Sequence, residues 1–351
     1  MPELLARGYA VWTQNTRGAG NDLTLLHEQA LLDAAAGHTF LRDHGFATVV
    51  SVGHSGGAAL AAYYIEQAGL PPAHRETATP GGKPVPLAEA RMPVPDGLLL
   101  MAPHLGQGHL LMRMIDPSVV DETDPMSVDP ALDPYDHRNG FTEPPTSSRY
   151  TRDFIEEYRQ AQRARVERID QVARERVAVS ARARKRYANT REANDRRRSL
   201  ASGVILVHRT DADLRGVDLS IDANDRPYGS LFGRRPDLTN YGIVGFGRLT
   251  TPEAWLSTWS GISSRAGLLR CATGIAVPVL LVELTGDQAC FPADARELAG
   301  AFASGDVTHV RVPGRHFGAP LTEGMTSGAT LAAETVSDWL RTRFPNPAAG
   351  Q

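Results

Sequence analysis

The sequence predicts an α/β protein with a mostly parallel sheet, helices on both faces and a large inserted, mainly helical cap. Apolar runs of strand length alternate with helical patterns along most of the chain. The three clearest runs lie at residues 48–52, 96–104 and 277–284. Residues 105–270 lack this alternation and contain a long charged helix. We therefore expect residues 1–104 and 271–351 to form the core and residues 105–270 to form the cap.

The composition is that of an ordinary globular protein. The chain has 351 residues, of which 42% are hydrophobic and 22% are charged, so it can bury one large core or two smaller ones. Its formal net charge of −3 gives no general attraction to nucleic acid or to an anionic membrane. We therefore expect neither as a partner. No feature of the sequence indicates an oligomeric state.

The two cysteines and the N-terminus point to a reducing, cytoplasmic location. Cys271 and Cys290 are too few for a disulfide framework, and neither has the spacing of a metal ligand. The first residues show no basic segment followed by an apolar one, and no run of about 18 apolar residues occurs in the chain. Export and membrane spanning are thus both unsupported.

The N-terminal part predicts a helix, a strand and a second helix. Residues 2–7 fit the end of a helix that stops at Gly8, and residues 9–13 fit a short strand. From residue 23 to residue 44, apolar side chains recur mostly at three- and four-residue spacing, which predicts an amphipathic helix.

The next stretch carries the clearest chemical motif. Residues 49–52 fit a fully buried strand and run directly into Gly53-His54-Ser55-Gly56-Gly57, after which an Ala-rich helix begins. Such a turn forces its central residue toward strained backbone angles. Side chains at the flanking positions would collide with the strand or the helix, which explains the glycines at 53 and 57. The Gly56 N–H, at the start of the helix, is the expected first donor to an oxyanion beside Ser55.

The succession of these segments resembles the middle of an α/β-hydrolase. In that family a strand and an Arg-Gly-x-Gly loop, here Arg17-Gly18-Ala19-Gly20, lead through one helix to the nucleophile strand. The resemblance covers about residues 3–104 and 274–344. It implies that a serine at the turn is followed along the chain by an acid and then a histidine, each just past the carboxyl end of a strand.

Asp287 and His316 occupy those two positions in this sequence. Asp287 follows Gly286 at the end of an apolar run, and His316 lies in a Gly-containing loop after the strand expected at residues 307–312. Glu283 and Asp294 are the rival acids, but Glu283 lies inside a strand and Asp294 lies near the next helix. The resemblance therefore implies Ser55 as nucleophile, His316 as base and Asp287 as the orienting acid.

The sequence departs from the family at its beginning. The second oxyanion donor normally comes from the loop after an earlier strand, and the first three strands of the usual sheet have no counterpart here. The missing third strand would lie between residues 9–13 and 48–52. We expect either a truncated or mis-started version of a longer protein, which we favour, or another segment that supplies this edge.

The inserted segment offers several features that we interpret as structural. Four Asp-Pro pairs between residues 116 and 134 fit solvated turns better than a calcium loop. Residues 150–198 fit helices in which Arg alternates with Glu and Asp, with pairs such as Asp170 and Arg174, so a solvated cap face is favoured over a nucleic-acid surface. Trp255 and Trp259 are expected to pack the cap onto the sheet.

These features predict a serine hydrolase that acts on a small carboxylic ester through an acyl-enzyme at Ser55, without metal or cofactor. Thioester, lactone and carbon–carbon bond hydrolysis remain open because they start from the same three residues. A dehalogenase or epoxide hydrolase would carry Asp in place of Ser55. A non-catalytic binding protein on a hydrolase scaffold also remains open. His104, just past a predicted strand, is either a pocket residue or a hydrogen-bonded loop histidine.

Overall fold

The computed structural model describes residues 2–20, 22–201 and 203–345 of the chain. Strands occur at β1 (Val50–His54), β2 (Gly97–Met101), β3 (Ile205–Leu206), β4 (Leu249–Thr250), β5 (Val279–Leu284) and β6 (Val307–Val312). Helices occur at α1 (Pro2–Leu5), α2 (His27–Asp43), α3 (Gly56–Gly69), α4 (Gln107–Met114), α5 (Arg152–Thr190), α6 (Ala193–Leu200), α7 (Pro236–Thr239), α8 (Pro252–Ala254), α9 (Leu268–Ala272), α10 (Pro292–Ala301) and α11 (Gly328–Arg343). The predicted α/β class is confirmed.

The main sheet has four parallel strands in the order β1-β2-β5-β6. Strand β5 is buried at all six positions, and Leu98, Leu99 and Leu100 of β2 are each at most 2% exposed. Strands that are apolar on both faces suit the centre of a parallel sheet, where helices cover both sides. Strands β2 and β5 therefore hold the edge strands β1 and β6 in fixed register.

Helices cover both faces of the sheet, as the sequence predicts. On one face Leu98, Leu100 and Leu281 pack against α2, α3, α9 and α10. On the other face Leu99 and Val282 pack against α4 and α11. The alternation along β2, with consecutive leucines on opposite faces, is the period of a strand and explains why one apolar run serves two layers.

Strand β1 is an edge strand, which corrects two expectations. Ser51 and Gly53 are buried, but Val52 is 42% exposed, so the prediction of a fully buried strand is wrong here. Residues 9–13 do not form a strand either. Among the described residues β1 pairs only with β2, and without a neighbour on the other side the segment 9–13 has no ladder to join. Trp12 instead stacks on Phe40 of α2, with ring centroids 4.7 Å apart.

A large helical insertion separates β2 from β5, and its longest element is the 39-residue helix α5. The Thr151 side chain accepts a hydrogen bond from the Phe154 N–H at 3.2 Å and so begins this helix. Val166 and Ile169 of α5 pack on Trp255, which forms part of the core of the insertion. The long polar helix is therefore anchored by one apolar stripe rather than standing free.

The expected pairing of Asp170 with Arg174 is not formed. The Asp170 carboxylate accepts a hydrogen bond from the Trp255 indole at 2.7 Å and another from the Ser263 hydroxyl. Arg174 donates to the same Ser263 oxygen at 2.8 Å. Because Asp170 is only 6% exposed, its carboxylate accepts hydrogen bonds from donors of the segment packed against α5 instead of pairing with the exposed Arg174 on its own helix.

The two tryptophans of the insertion pack within it. The segment Trp255–Trp259 is a π-helical turn in which both are buried, and their hydrophobic cluster contains no residue of the main sheet, so the expectation that they pack the cap onto the sheet is wrong. Residues 205–206 pair with residues 249–250 as a short antiparallel ribbon. Cys271 and Cys290 are both buried and free of disulfide. No helix among the described residues is both long enough and apolar enough to cross a bilayer.

Buried histidines are expected to make the fold sensitive to acid. His27 is 1% exposed, and burial lowers its pKa from 6.5 to about 4. Between these two values the unfolded chain binds a proton that the folded chain does not, so stability falls as pH falls through this window. This one group is expected to contribute a slope of about 1.4 kcal/mol per pH unit.

The slope can be measured from urea unfolding between pH 4.5 and pH 7. His27→Gln should flatten the dependence of the free energy of unfolding on pH by about one proton. Equal slopes for the His27→Gln variant and the unsubstituted protein would show that His27 is protonated, or exposed, in the folded state.

Candidate active site

A sharp turn joins β1 to α3 and places Ser55 at its apex. Ser55 has φ 53° and ψ −122°, a backbone conformation that is strained for any residue with a side chain. Its N–H donates to the Met101 carbonyl of β2 at 3.0 Å, which fixes the turn to the neighbouring strand. The expected strain at the central residue is therefore present, and Ser55 is held partly exposed above the sheet.

The glycines around Ser55 have unequal roles. A Cβ atom on Gly53 would lie 2.5 Å from the Ala58 Cα atom, so the strand and the helix meet too closely here for any side chain. A Cβ atom on Gly57 would have no neighbour within 4 Å, so the expectation that Gly57 avoids a collision is wrong. Gly57 is exposed at the start of α3.

The structure brings Ser55, His316 and Asp287 into one hydrogen-bonded chain. The Ser55 Oγ atom lies 2.9 Å from His316 Nε2. His316 Nδ1 lies 2.8 Å from Oδ2 of Asp287 and 2.9 Å from its Oδ1. Ser55 follows β1, Asp287 follows β5 and His316 follows β6. Parallel strands present their carboxyl ends at the same edge of a sheet. His316 and Asp287 are 3% and 0% exposed, so their interaction is shielded from water.

Both rival acids are occupied elsewhere. The Glu283 carboxylate pairs with His309 and Arg311 of β6, each at 2.9 Å. Asp294 forms an ion pair with Arg215 at 3.1 Å. Of the three candidate acids, Asp287 is the one whose carboxylate contacts the imidazole of His316.

The Asp287 carboxylate is held as an acceptor of several hydrogen bonds. Its Oδ1 atom accepts from the Ala289 N–H at 2.7 Å and from the Cys290 N–H at 3.0 Å, in addition to the bond from His316. Hydrogen bonds donated to the charged form stabilise it. The group is thereby suited to orient the imidazole with Nδ1 protonated, which leaves Nε2 free to accept the serine proton.

A segment of the insertion fastens the loop that carries Asp287. The Asn224 side-chain amide donates to the Asp287 carbonyl at 2.9 Å, and the Asp225 N–H donates to the Thr285 carbonyl at 2.8 Å. Gln288 donates back to the Gly229 carbonyl at 2.9 Å. No local pattern in the sequence signals these contacts, because they join residues about 60 positions apart.

His54 supports His316 from the turn itself. Its Nε2 atom lies 2.9 Å from the His316 carbonyl oxygen, and the two rings are 5.1 Å apart. Burial lowers the pKa of His54, which favours the neutral ring. Phe317, next to His316, is 76% exposed, and its ring centroid lies 4.7 Å from that of His316. His54 lies inside the serine motif, and its position there was the signal that could have identified it.

A buried cluster of possible metal ligands coincides with these residues. One ligand atom each from Asp287, Cys290 and His316 lies within 4.8 Å of the others. The Cys290 thiol donates to the Ala102 carbonyl at 2.7 Å, and burial raises its pKa well above the ordinary value. A cysteine binds a metal as its thiolate, and the pKa of Cys290 favours the thiol. The hydrogen bonds among these residues therefore account for the cluster better than a metal does.

Two features together decide the fold assignment. A strained serine joins a parallel strand to a helix, and an acid and a histidine reach it from the ends of later strands in the order Ser, Asp, His. The chain has the α/β-hydrolase fold.

Comparisons with solved structures find distant similarities. A protein described as a non-heme bromoperoxidase, BpoC, from Mycobacterium tuberculosis H37Rv is 16% identical; the match covers 98% of this chain and 84% of that chain, with a TM-score of 0.38. A monoacylglycerol lipase from Paleococcus ferrophilus is 13% identical over 91% of this chain and 76% of that chain, with a TM-score of 0.35. Rv0554 from Mycobacterium tuberculosis is 16% identical over 98% and 82%, with a TM-score of 0.36.

No protein-family model matches the sequence, and no curated protein matches it either. The α/β-hydrolase fold is seen in the parallel strand order and in the geometry around Ser55.

Two further groups lie next to Ser55. The Gly56 N–H stands at the start of α3, where helix N–H groups have no intrahelical acceptor, and the Ser55 side chain does not cap this helix. His104 is 4% exposed, and its Nδ1 atom accepts a hydrogen bond from the Gly106 N–H at 3.1 Å. The expectation of a hydrogen-bonded loop histidine is therefore met, and its other ring nitrogen lies near Gly56.

Proposed function

We propose that the protein is a serine hydrolase that cleaves small carboxylic esters through an acyl-enzyme at Ser55. The observation that carries this proposal is the unbroken chain of hydrogen bonds from the Ser55 hydroxyl through His316 to Asp287, with Asp287 fully buried. A serine hydroxyl is a weak nucleophile by itself and becomes reactive when an oriented base accepts its proton.

In the acylation half of the reaction, Ser55 Oγ attacks the ester carbonyl carbon while its proton passes to Nε2 of His316. Asp287 stabilises the imidazolium that forms. The negative charge develops on the former carbonyl oxygen, for which the Gly56 N–H is a donor. When the tetrahedral intermediate collapses, the carbon–oxygen bond to the leaving alcohol breaks and His316 gives its proton to that oxygen.

In the deacylation half, the same groups act on water. His316 accepts a proton from the water molecule, whose oxygen attacks the acyl carbon, and a second tetrahedral intermediate forms at the same position. Its collapse releases the carboxylic acid and returns the proton to Ser55 Oγ. The reaction consumes one water and one ester and needs no cofactor. The exposed ring of Phe317 suits the apolar part of such a substrate.

Labelling with a fluorophosphonate probe tests the role of Ser55. The unsubstituted protein is expected to be labelled, and Ser55→Ala is expected to lose the label because the reactive oxygen is removed. Ser180→Ala, on the surface of α5, is the matched control and should be labelled as well as the unsubstituted protein. Intact-protein mass spectrometry measures the outcome directly, and equal labelling of Ser55→Ala would exclude Ser55 as the nucleophile.

A further inference from the structure

Under the proposed function, hydrogen-bond donors beside Ser55 stabilise the negative charge that develops on the substrate oxygen. The Gly56 N–H is one such donor, and each further donor is typically worth about 10²–10³-fold in rate. We propose that the imidazole Nε2–H of His104 is a second oxyanion donor, and that the Gln107 side chain lines the same position. This inference rests on the proposed function and extends it by assigning a catalytic role to His104.

The sheet places His104 beside the serine. Met101 of β2 is the register partner of His54, and it accepts the Ser55 N–H at 3.0 Å, so the chain that continues from β2 runs past the turn. Ala102 has φ 44°, which bends this continuation. As a result His104 Nε2 lies 3.3 Å from the position that a Cβ atom on Gly56 would occupy.

The hydrogen bond at the other nitrogen fixes which tautomer His104 adopts. Because Nδ1 accepts the Gly106 N–H at 3.1 Å, it carries no proton, and the ring proton resides on Nε2. The hydrogen bond that His104 makes is at Nδ1, so its Nε2–H can be donated to an incoming acceptor. Both Ser55 and Gly56 are partly exposed to such a substrate.

The charge state of the ring suits this role. Burial, and next the neighbouring His316, lower the pKa of His104 to about 3. The ring therefore stays neutral at ordinary pH and keeps its Nε2 proton through the reaction. A second cation beside His316 would oppose the imidazolium that must form there, whereas a neutral donor does not.

Gln107, at the start of α4, borders the same position. Its Nε2 atom lies 2.8 Å from the point that a Gly56 Cβ atom would occupy, and its Oε1 atom is buried without a hydrogen-bond partner among the described residues. This explains why residue 56 is glycine: a side chain would occupy the space that the His104 and Gln107 donors face. The space is kept free beside the first N–H of α3.

Two substitutions of His104 separate a catalytic role from a structural one. His104→Asn keeps an acceptor close to Nδ1, for the bond from Gly106, but removes the donor at Nε2. His104→Gln places an amide N–H close to Nε2 but loses the Nδ1 acceptor. The inference predicts that His104→Asn lowers kcat for p-nitrophenyl acetate by about 10²-fold with little change in KM, whereas His104→Gln stays within about 10-fold of the unsubstituted protein.

A transition-state analogue supplies a readout that a loop-positioning role would not move. A trifluoromethyl ketone forms a tetrahedral adduct with the serine and carries an oxyanion, so its inhibition constant should rise in His104→Asn by the same factor by which kcat/KM falls. Full activity of His104→Asn, or greater loss in His104→Gln than in His104→Asn, would overturn the inference. Ser55→Ala is measured alongside. If hydrolysis is unchanged in Ser55→Ala, the proposed function fails; if it is lost there, the His104 variants test the second donor by itself.

Discussion

The variant Asp287→Asn is expected to lose about 10⁴-fold in kcat while it remains folded. An asparagine can keep the hydrogen bonds that the Ala289 and Cys290 N–H groups donate to Oδ1, so the loop should persist. Its amide group, however, can donate to His316 Nδ1 and thereby favour the tautomer protonated on Nε2. That tautomer cannot accept the Ser55 proton, and the uncharged amide does not stabilise an imidazolium. Steady-state kinetics on p-nitrophenyl acetate would measure the loss.

The rival acids provide the controls for this prediction. Asp294→Asn breaks the ion pair with Arg215 but leaves the imidazole untouched, and Glu283→Gln alters the contacts of β6 with β5. Both variants should keep kcat within about 10-fold, since neither carboxylate contacts His316. A larger loss of kcat in Asp294→Asn than in Asp287→Asn would indicate that Asp294, and not Asp287, orients His316. Circular dichroism of each variant shows whether a loss of activity reflects unfolding.

The second large effect is expected at the turn before Ser55. Gly53→Ala would place a Cβ atom 2.5 Å from the Ala58 Cα atom and 2.7 Å from the Ala58 nitrogen. These are backbone atoms, which cannot rotate away as a side chain could, so β1 and α3 would have to separate. Overpacking in a core costs about 1–3 kcal/mol, and we expect about 3 kcal/mol or more here. That is a large part of the total stability of a typical domain.

Gly57→Ala is the matched control for Gly53→Ala. A Cβ atom at residue 57 meets nothing within 4 Å, and this glycine lies in the first turn of α3. Alanine has the higher helix propensity, so the variant is expected to be neutral or up to about 1 kcal/mol more stable. Urea unfolding of both variants measures the difference. A Gly57→Ala variant as unstable as Gly53→Ala would mean that the helix approaches the strand differently from the arrangement described.

The site could be predicted from sequence because its members occupy strand ends. A local sequence pattern marks each of the three residues. Ser55 lies in a glycine-flanked turn, and Asp287 and His316 lie in loops directly after strand-like runs. Parallel strands then bring distant parts of the chain to one edge of the sheet without further information. Ranking Asp287 above Glu283 and Asp294 needed only the position of each acid relative to its strand.

Other features depend on contacts that no local pattern encodes. The exposure of Val52 follows from the absence of a second neighbour for β1 among the described strands, which is a property of the whole sheet. Asp170 pairs with Trp255 rather than with Arg174 because burial, set by tertiary packing, outweighs helical spacing. The position of His104 above Gly56 likewise depends on how the chain bends after β2.

The bonds from Asn224 and Asp225 to the loop of Asp287 have a consequence for protein engineering. A chimera that exchanged the insertion for one from another protein, in order to change which substrates are accepted, would also remove these two supports of the acid. The insertion and the position of Asp287 are thus linked in this chain. A successful exchange would need to retain the short stretch around residue 224 as part of the recipient.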